Sequence, residues 1–285
     1  MATLLASAAA LVRPESVGPL LIEPLQDMSH AMQVATVLQT DSESYRLPVL
    51  RDEATAAWTQ ENAEIDLSDA TFAEVNVGFF KLAGLVRLSA ELVESSEPEA
   101  AATVGASLAR SIARSIDLAY WGSTVSNGPS GLESLASVQT VDAGATWTSL
   151  DPMIEAISKL QAVGAKGTNF VTAASTALEL AKLKRYTGAT ESNENLLQPS
   201  PTDATVMQIN GVPISVVPDG VIDPGVVWLS DKSRSYVILK RAVTLDVSRE
   251  AFFTADAVAV KATVRTGFGF PSETSFVRIA LTEGS

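Results

Sequence analysis

The chain has 285 residues, 46% of them hydrophobic, with 20 Lys and Arg against 33 Asp and Glu and a formal net charge of -13. That is enough apolar content to bury a core in one large domain or two small ones. The charge excludes gripping nucleic acid by bulk attraction, which needs clustered Lys and Arg, though not enclosing DNA, and the lack of any cysteine excludes disulfides, thiolate metal sites and cysteine nucleophiles and fits a reducing cytosol.

The opening "MATLLASAAALV" is apolar but short, has no basic residue before it and is interrupted by Arg13-Pro14. It reads as a helix or arm that docks on protein rather than as a signal peptide or a membrane span, and no other stretch is long and apolar enough to span a bilayer. Residues 1–42 read as an arm of short helical pieces, broken at Pro14, Pro19 and Pro24.

A long hairpin follows. Leu47 to Glu61 reads as one extended strand, with Pro48 arguing against a central sheet position. Ile65 to Ala70 reads as the tip, with Ser68 and Asp69 as turn residues. Val75, Val77 and Phe79 then alternate with Glu74, Asn76 and Gly78 at strand period. The parity changes at Phe79-Phe80, after which Leu82, Val86 and Leu88 carry the apolar phase, as a bulge or twist near Gly78 would produce. A two-stranded ribbon is marginal in water, so its apolar side needs a partner surface, and the neighbouring sequence offers none.

"SSEPEAAATVGASLARSIARSIDLAYWGS" is the clearest helix. Ser96 suits an N-cap, Pro98 and Glu99 suit the first turn, and Gly122 suits the stop. Val104, Leu108, Ile112, Ile116 and Tyr120 form one stripe, and the span to Trp121 is about 36 Å. Arg110 and Arg114 fall on a solvated face. "NGPSGLESL" is turn chemistry. Helices are predicted over 149–163 and 175–184, a short buried strand at "TNFVTA" and a polar loop over 187–202. "VMQINGVPISVV" reads as a hairpin on Asn210-Gly211. From Val226 onward the chain is mostly strands, so the class is α+β with the helices grouped in the middle.

Residue types suited to catalysis are sparse. His30 is the only histidine, and a Ser-His-Asp triad would have to use it. The acidic group Asp52, Glu53, Glu61, Glu64, Asp66 and Asp69 lacks calcium-loop spacing and reads as a solvated or partner-facing ribbon. "GFGF" at 267–270 lacks phosphate-loop spacing, and "GPSGL" is not a nucleophile elbow. No pair stands out among the 33 carboxylates as a glycosidase pair would. The expectation is a protein that is not an enzyme and takes no cofactor or metal.

The order of these pieces resembles the major capsid proteins of tailed bacteriophages, the HK97-like fold, over nearly the whole chain. The resemblance rests on "AAWTQENAEIDLSDATFAEVNV", with Glu61, Ser68, Asp69 and Phe72 in the pattern of the family's extended loop, and on "YWGSTVSNGPSGL", "INGVPISVV" and "SYVILKRAVTLDVSREAFFTADAVAVKATVRTGFGFPSETSFVRI". It implies an arm (1–42), an extended loop (43–90), a peripheral domain with a spine helix (91–131 and 226–270) and an axial domain (132–225 and 271–285).

It also implies self-assembly into hexamers and pentamers that close into an icosahedral head around double-stranded DNA, without sequence-specific binding or membrane contact. The implied partners beyond further copies are scaffolding, portal and decoration proteins, and the implied location is the virion, assembled in the bacterial host cytoplasm. Trp58, Phe72, Val75 and Val77 would be covered by another copy. Glu61, Glu64 and Asp66 would meet arginines such as Arg241, Arg249 or Arg265 across subunits. Some members cross-link a loop lysine to an asparagine covalently; here Asn62 and Asp256 stand at about those positions, so no such bond is expected. An encapsulin-like nanocompartment shell is the alternative, and a soluble α/β enzyme or binding module is a third reading from a different class.

Overall fold

The computed structural model describes residues 25, 27–52, 58–60, 71–89, 99–185, 194–197, 207–240 and 244–282. A short helix, α1 (His30–Val34), leads into strand β1 (Thr36–Thr40). The ribbon follows as β2 (Ser44–Asp52) and β3 (Thr71–Gly78), paired antiparallel from Ser44↔Gly78 to Asp52↔Thr71. Pro48 lies in β2 opposite Glu74; in a two-stranded sheet every strand is an edge, which is where proline is tolerated. The strand breaks at Phe79 and resumes as β4 (Phe80–Ser89), on the inward phase expected for Leu82, Val86 and Leu88.

Helix α2 (Glu99–Trp121), with 23 residues, is the longest helix among the described residues. Its stripe is buried where described: Leu108, Ile112, Ile116 and Tyr120 are all at most 7% exposed, while Arg110 and Arg114 face solvent as expected. Ser96 and Pro98 lie outside the described residues. The helix stops at Gly122, and the turn after it folds back on the last carbonyls. Gly131 donates its N–H to Ser123, and a side chain at Gly131 would overlap the carbonyl oxygens of Ala119 and Gly122.

Two sheets flank α2. One uses β1, β4, β10 (Tyr236–Lys240), β11 (Thr244–Phe252) and the long β12 (Ala257–Gly269). Strands β10 and β11 share one side of β12, β4 takes the other, and β1 adds in parallel to β10. The other sheet has the order β5 (Gln139–Asp142), β13 (Phe276–Ala280), β9 (Val226–Ser230), β6 (Asn169–Ala173), β8 (Val212–Val217) and β7 (Gln208–Ile209). Asn210 and Gly211 both have positive φ, 50° and 79°, as the two-residue hairpin turn requires. Helices α3 (Asp151–Ala162) and α4 (Ala174–Lys182) pack on this sheet. Most of the expected polar loop at 187–202 lies outside the described residues.

One expectation is corrected here. Strand β9 was grouped with the peripheral strands from 226 onward, but it pairs with β13 and β6 in the six-stranded sheet. All five of its residues are buried because both of its faces are covered. Val227 and Leu229 meet the α3 and α4 side, whereas Trp228 joins the core under α2. A strand buried on both faces reads as a continuous apolar run, so sequence alone does not say which sheet it enters.

The two sheets meet at an aromatic knot on the last turn of α2. Tyr120 lies 4.9 Å from Trp121, 5.3 Å from Phe268 and 5.5 Å from Phe270 between ring centroids, and Trp121 lies 6.3 Å from Trp228. Such pairs add about 0.5–1.5 kcal/mol each beyond area burial.

Helix α1 is tied to α2 by one buried carboxylate. Asp117 accepts hydrogen bonds from Ser29 Oγ at 2.7 Å, the Ala31 N–H at 2.9 Å and the His30 N–H at 3.2 Å. It caps α1 from across the fold. The lone histidine contributes its backbone here. Burial pushes the Asp117 carboxyl above its ordinary range, against the opposing pull of these donors and of His30.

Asp117→Ala leaves a buried hydroxyl and a buried N–H without an acceptor, so it is expected to destabilise the fold by about 2 kcal/mol or more, read from urea unfolding. A native pKa above the unfolded one means the native state holds the extra proton, so stability falls as pH rises through that window. Wild type is therefore expected to lose stability relative to Asp117→Asn as pH climbs from about 4. A flat difference across pH would show that Asp117 titrates normally.

Candidate assembly surface

The ribbon is seated at its base. Leu47, Val77 and Ile238 form a small buried cluster, flanked by Leu38, Tyr45, Val75, Phe79 and Tyr236. Under it lies the end of β12. Successive strand residues face opposite ways, so "GFGF" presents two different surfaces. Phe268 and Phe270, 8% and 9% exposed, point into the aromatic knot. Gly267 and Gly269 face the ribbon, where no side chain fits. A Cβ at Gly267 would overlap the Gly78 carbonyl oxygen and come within 2.7 Å of Val77 Cγ1, and one at Gly269 would overlap Leu47 Cδ1. Sequence reading excluded a phosphate loop here but missed this use. The available signal was the strict Gly/Phe alternation inside a strand.

Exposure rises along the ribbon away from that seat. Val77 is 3% exposed, Val75 is half-buried and Phe72 is 73% exposed; Trp58, outside the paired residues, is fully exposed. The expectation for Val77 is thereby corrected: its own chain covers it, because it sits at the base and needs no second copy. Trp58 and Phe72 stand bare. Arg46 and Glu74 pair across the ribbon at 3.3 Å, both largely exposed, and such a pair contributes little.

The expected charged partners are only partly described. Glu61, Glu64, Asp66, Asn62 and Arg241 lie outside the described residues, as does the side chain of Arg249. Arg265 is exposed on β12, directly opposite Lys81 on β4. Neither has an ion-pair partner among the described residues, whereas Lys261 in the same strand pairs with Asp246 at 2.9 Å. Asp256 is exposed in the turn before β12 and has φ 43°.

An apolar groove opens beside the seat, between the start of β4, α2 and the 124–130 turn. It has a volume of about 400 Å³, and Phe80, Leu82, Leu118, Val125, Pro129 and Phe268 line it, with Lys81 alongside. Phe80, Leu118 and Val125 are each about 40% exposed. Among the described residues no group of carboxylates and histidine converges as a metal site would need, and no helix is long and apolar enough to cross a membrane.

Comparison with known proteins identifies this architecture. The sequence matches the model of the phage capsid family over residues 9–280. A comparison with curated proteins finds no match. Among solved structures, a chain of Microbacterium phage Oxtober96 is similar at 17% identity and a TM-score of 0.71, covering 89% of this chain and 91% of that one. The capsid of an empty GTA particle is similar at 17% identity and a TM-score of 0.72, covering 90% of each chain. A chain of Mycobacterium phage Adephagia is similar at 13% identity and a TM-score of 0.71, covering 90% of this chain and 91% of that one.

These likenesses define the α+β HK97-like fold of virion shell proteins. The chain belongs to the phage capsid family. It is a major capsid protein, which self-associates to form the shell of the phage head and resides in the virion.

Gly267→Ala sets a side chain against the Gly78 backbone, which cannot rotate away as a flexible side chain would. It is expected to cost about 1–3 kcal/mol by thermal or urea unfolding and to loosen the ribbon. Gly105→Ala, where nothing lies within 4 Å, is the matched control and is expected to be neutral or stabilising.

Proposed function

We propose that copies of this chain form hexamers and pentamers, and that these close into an icosahedral head around double-stranded DNA. The five-stranded sheet with α2 acts as the peripheral domain. The six-stranded sheet, β9 included, acts as the axial domain around capsomer centres. The observation that carries this reading is the exposure gradient of the ribbon in a chain of this family. A fully exposed Trp58 and a largely exposed Phe72 are each an unspent contribution of about 1.5–3 kcal/mol, gained when a neighbouring copy covers them. Half-buried Val75 gains less.

The part is structural, not enzymatic, and takes no cofactor. Glu61, Glu64 and Asp66 are proposed to meet Arg241, Arg249 or Arg265 of another copy. A net charge of -13 suits a wall that must not hold packaged DNA tightly. Scaffolding, portal and decoration proteins are the proposed partners, and the host cytoplasm is the proposed place of assembly. With Asn62 and Asp256 at the positions discussed above, and no lysine from Leu47 to Phe80, the shell is held without covalent links between chains.

Negative-stain microscopy of the purified protein is expected to show closed icosahedral particles of megadalton mass; a stable monomer in size exclusion at assembly concentrations would overturn the reading. Denaturing gels of intact particles are expected to show a single band near the chain mass of 29.9 kDa, and ladders of linked chains would refute the noncovalent shell.

A further inference from the structure

Helix α2 presents a band whose charge is opposite to that of the chain. Ser107, Arg110, Ser111 and Arg114 are all exposed. They recur at three- and four-residue spacing and so share one side of the helix. Residues 100–116 contain no Asp or Glu, in a chain with 33 acidic residues and a net charge of -13. The acids of α2 are Glu99, at its first position, and Asp117, which is buried and committed to α1. Neither arginine has an ion-pair partner among the described residues, whereas Arg234, Lys261 and Arg278 each have one. Arg114 reaches toward the Gly220 turn that follows β8. Two like charges four residues apart weaken a helix until an anion joins them.

The band also looks away from the ribbon root. Val260, Ala262, Val264 and Phe268 turn one face of β12 to the core under α2, while Gly267 and Gly269 turn the opposite face to the ribbon. Helix and ribbon root therefore cover opposite faces of the same sheet, and the exposed side of α2 is left open.

We propose that this band is where the inner wall of the shell touches the phosphates of the enclosed duplex. This rests on the reading of the chain as a shell subunit around DNA and names the residues of contact. Arginine offers phosphate a planar, bidentate fork, serine hydroxyls add donors, and the two arginines stand about 6 Å apart along the helix. The exposed residues from Ser107 to Arg114 include no large apolar side chain, which a protein partner would need at the centre of its interface. That favours phosphate over an acidic protein. Phosphate contacts carry no sequence information, as a wall around any enclosed sequence requires. Two cations per chain against a net charge of -13 make a wall that touches the duplex at repeated points and repels it between them.

The full chain, held below its assembly concentration, is titrated against a labelled DNA duplex over a range of salt. Arg110→Gln with Arg114→Gln is expected to weaken binding about tenfold at low salt and to flatten the salt dependence by about 0.9 in slope for each contact removed. Arg110→Lys with Arg114→Lys is expected to retain the slope. Lys81→Gln with Arg265→Gln removes the same charge from the ribbon's face of the sheet and is expected to leave binding unchanged. Equal losses in the two glutamine variants, or no binding by wild type, overturn the proposal. Tighter binding of poly-glutamate than of the duplex overturns it too and assigns the band to an acidic protein.

A second readout is positional. The chain has no cysteine, so Ser111→Cys carries a thiol-linked photo-crosslinker at one place only. In DNA-filled particles it is expected to join protein to DNA on irradiation, while the same label at Ser248, on the ribbon's face of the sheet, gives none. Crosslinks from Ser248 but not from Ser111 overturn the proposal. Failure of the wild type to form particles overturns the shell reading instead, and the duplex titration still reports on the band by itself.

Discussion

The extended ribbon is only useful if it is rigid at its root. Two strands alone are marginal in water, so the root must borrow stability from a sheet. It does so by lying on a strip of β12 from which side chains have been removed, at Gly267 and Gly269. Phe268 in the same strand and Phe270 just past its end point the other way, into the contacts with Tyr120. The strip that lets the ribbon approach is therefore held flat by the aromatic packing at the end of the spine helix. Position and stiffness of the ribbon root follow from one alternating tetrapeptide.

The spine helix integrates the remainder. Its last turn touches the core of both sheets through Tyr120 and Trp121. Upstream in the same helix Asp117 grips α1. Forces on the ribbon root, the six-stranded sheet or the α1 segment thus converge within a few residues, 117–121. A shell subunit must transmit load between neighbours without shearing its own sheets apart, and a close-packed aromatic junction at the crossing of the elements serves that need.

Much of this was legible in the chain because the signals were local. The four-residue stripe from Leu108 to Tyr120, the Asn210-Gly211 turn and the parity change at Phe79-Phe80 are each written within a few residues, and each appears where expected. What was not legible involves distance along the chain. Ser29 and Asp117 are 88 residues apart, and nothing near either one announces the other. The parallel pairings of β1 with β10 and of β5 with β13 likewise join remote segments. Val77 looked like its neighbours Val75 and Phe72 by pattern, and only the seat beneath it decides that it is an internal residue. The sheet that β9 enters is not legible either, because an apolar run buried on both faces carries no directional mark. The overall class and family came from the order of weak motifs rather than from any one of them.

Pro48 adds a constraint of a different kind. An open two-stranded ribbon with bare aromatic residues is a template on which identical strands can stack backbone to backbone. Proline within β2 leaves a gap in the row of donors that such stacking would use. Crowded subunits awaiting closure are in that way steered from endless fibres toward contacts made through side chains, which can terminate in a finite container.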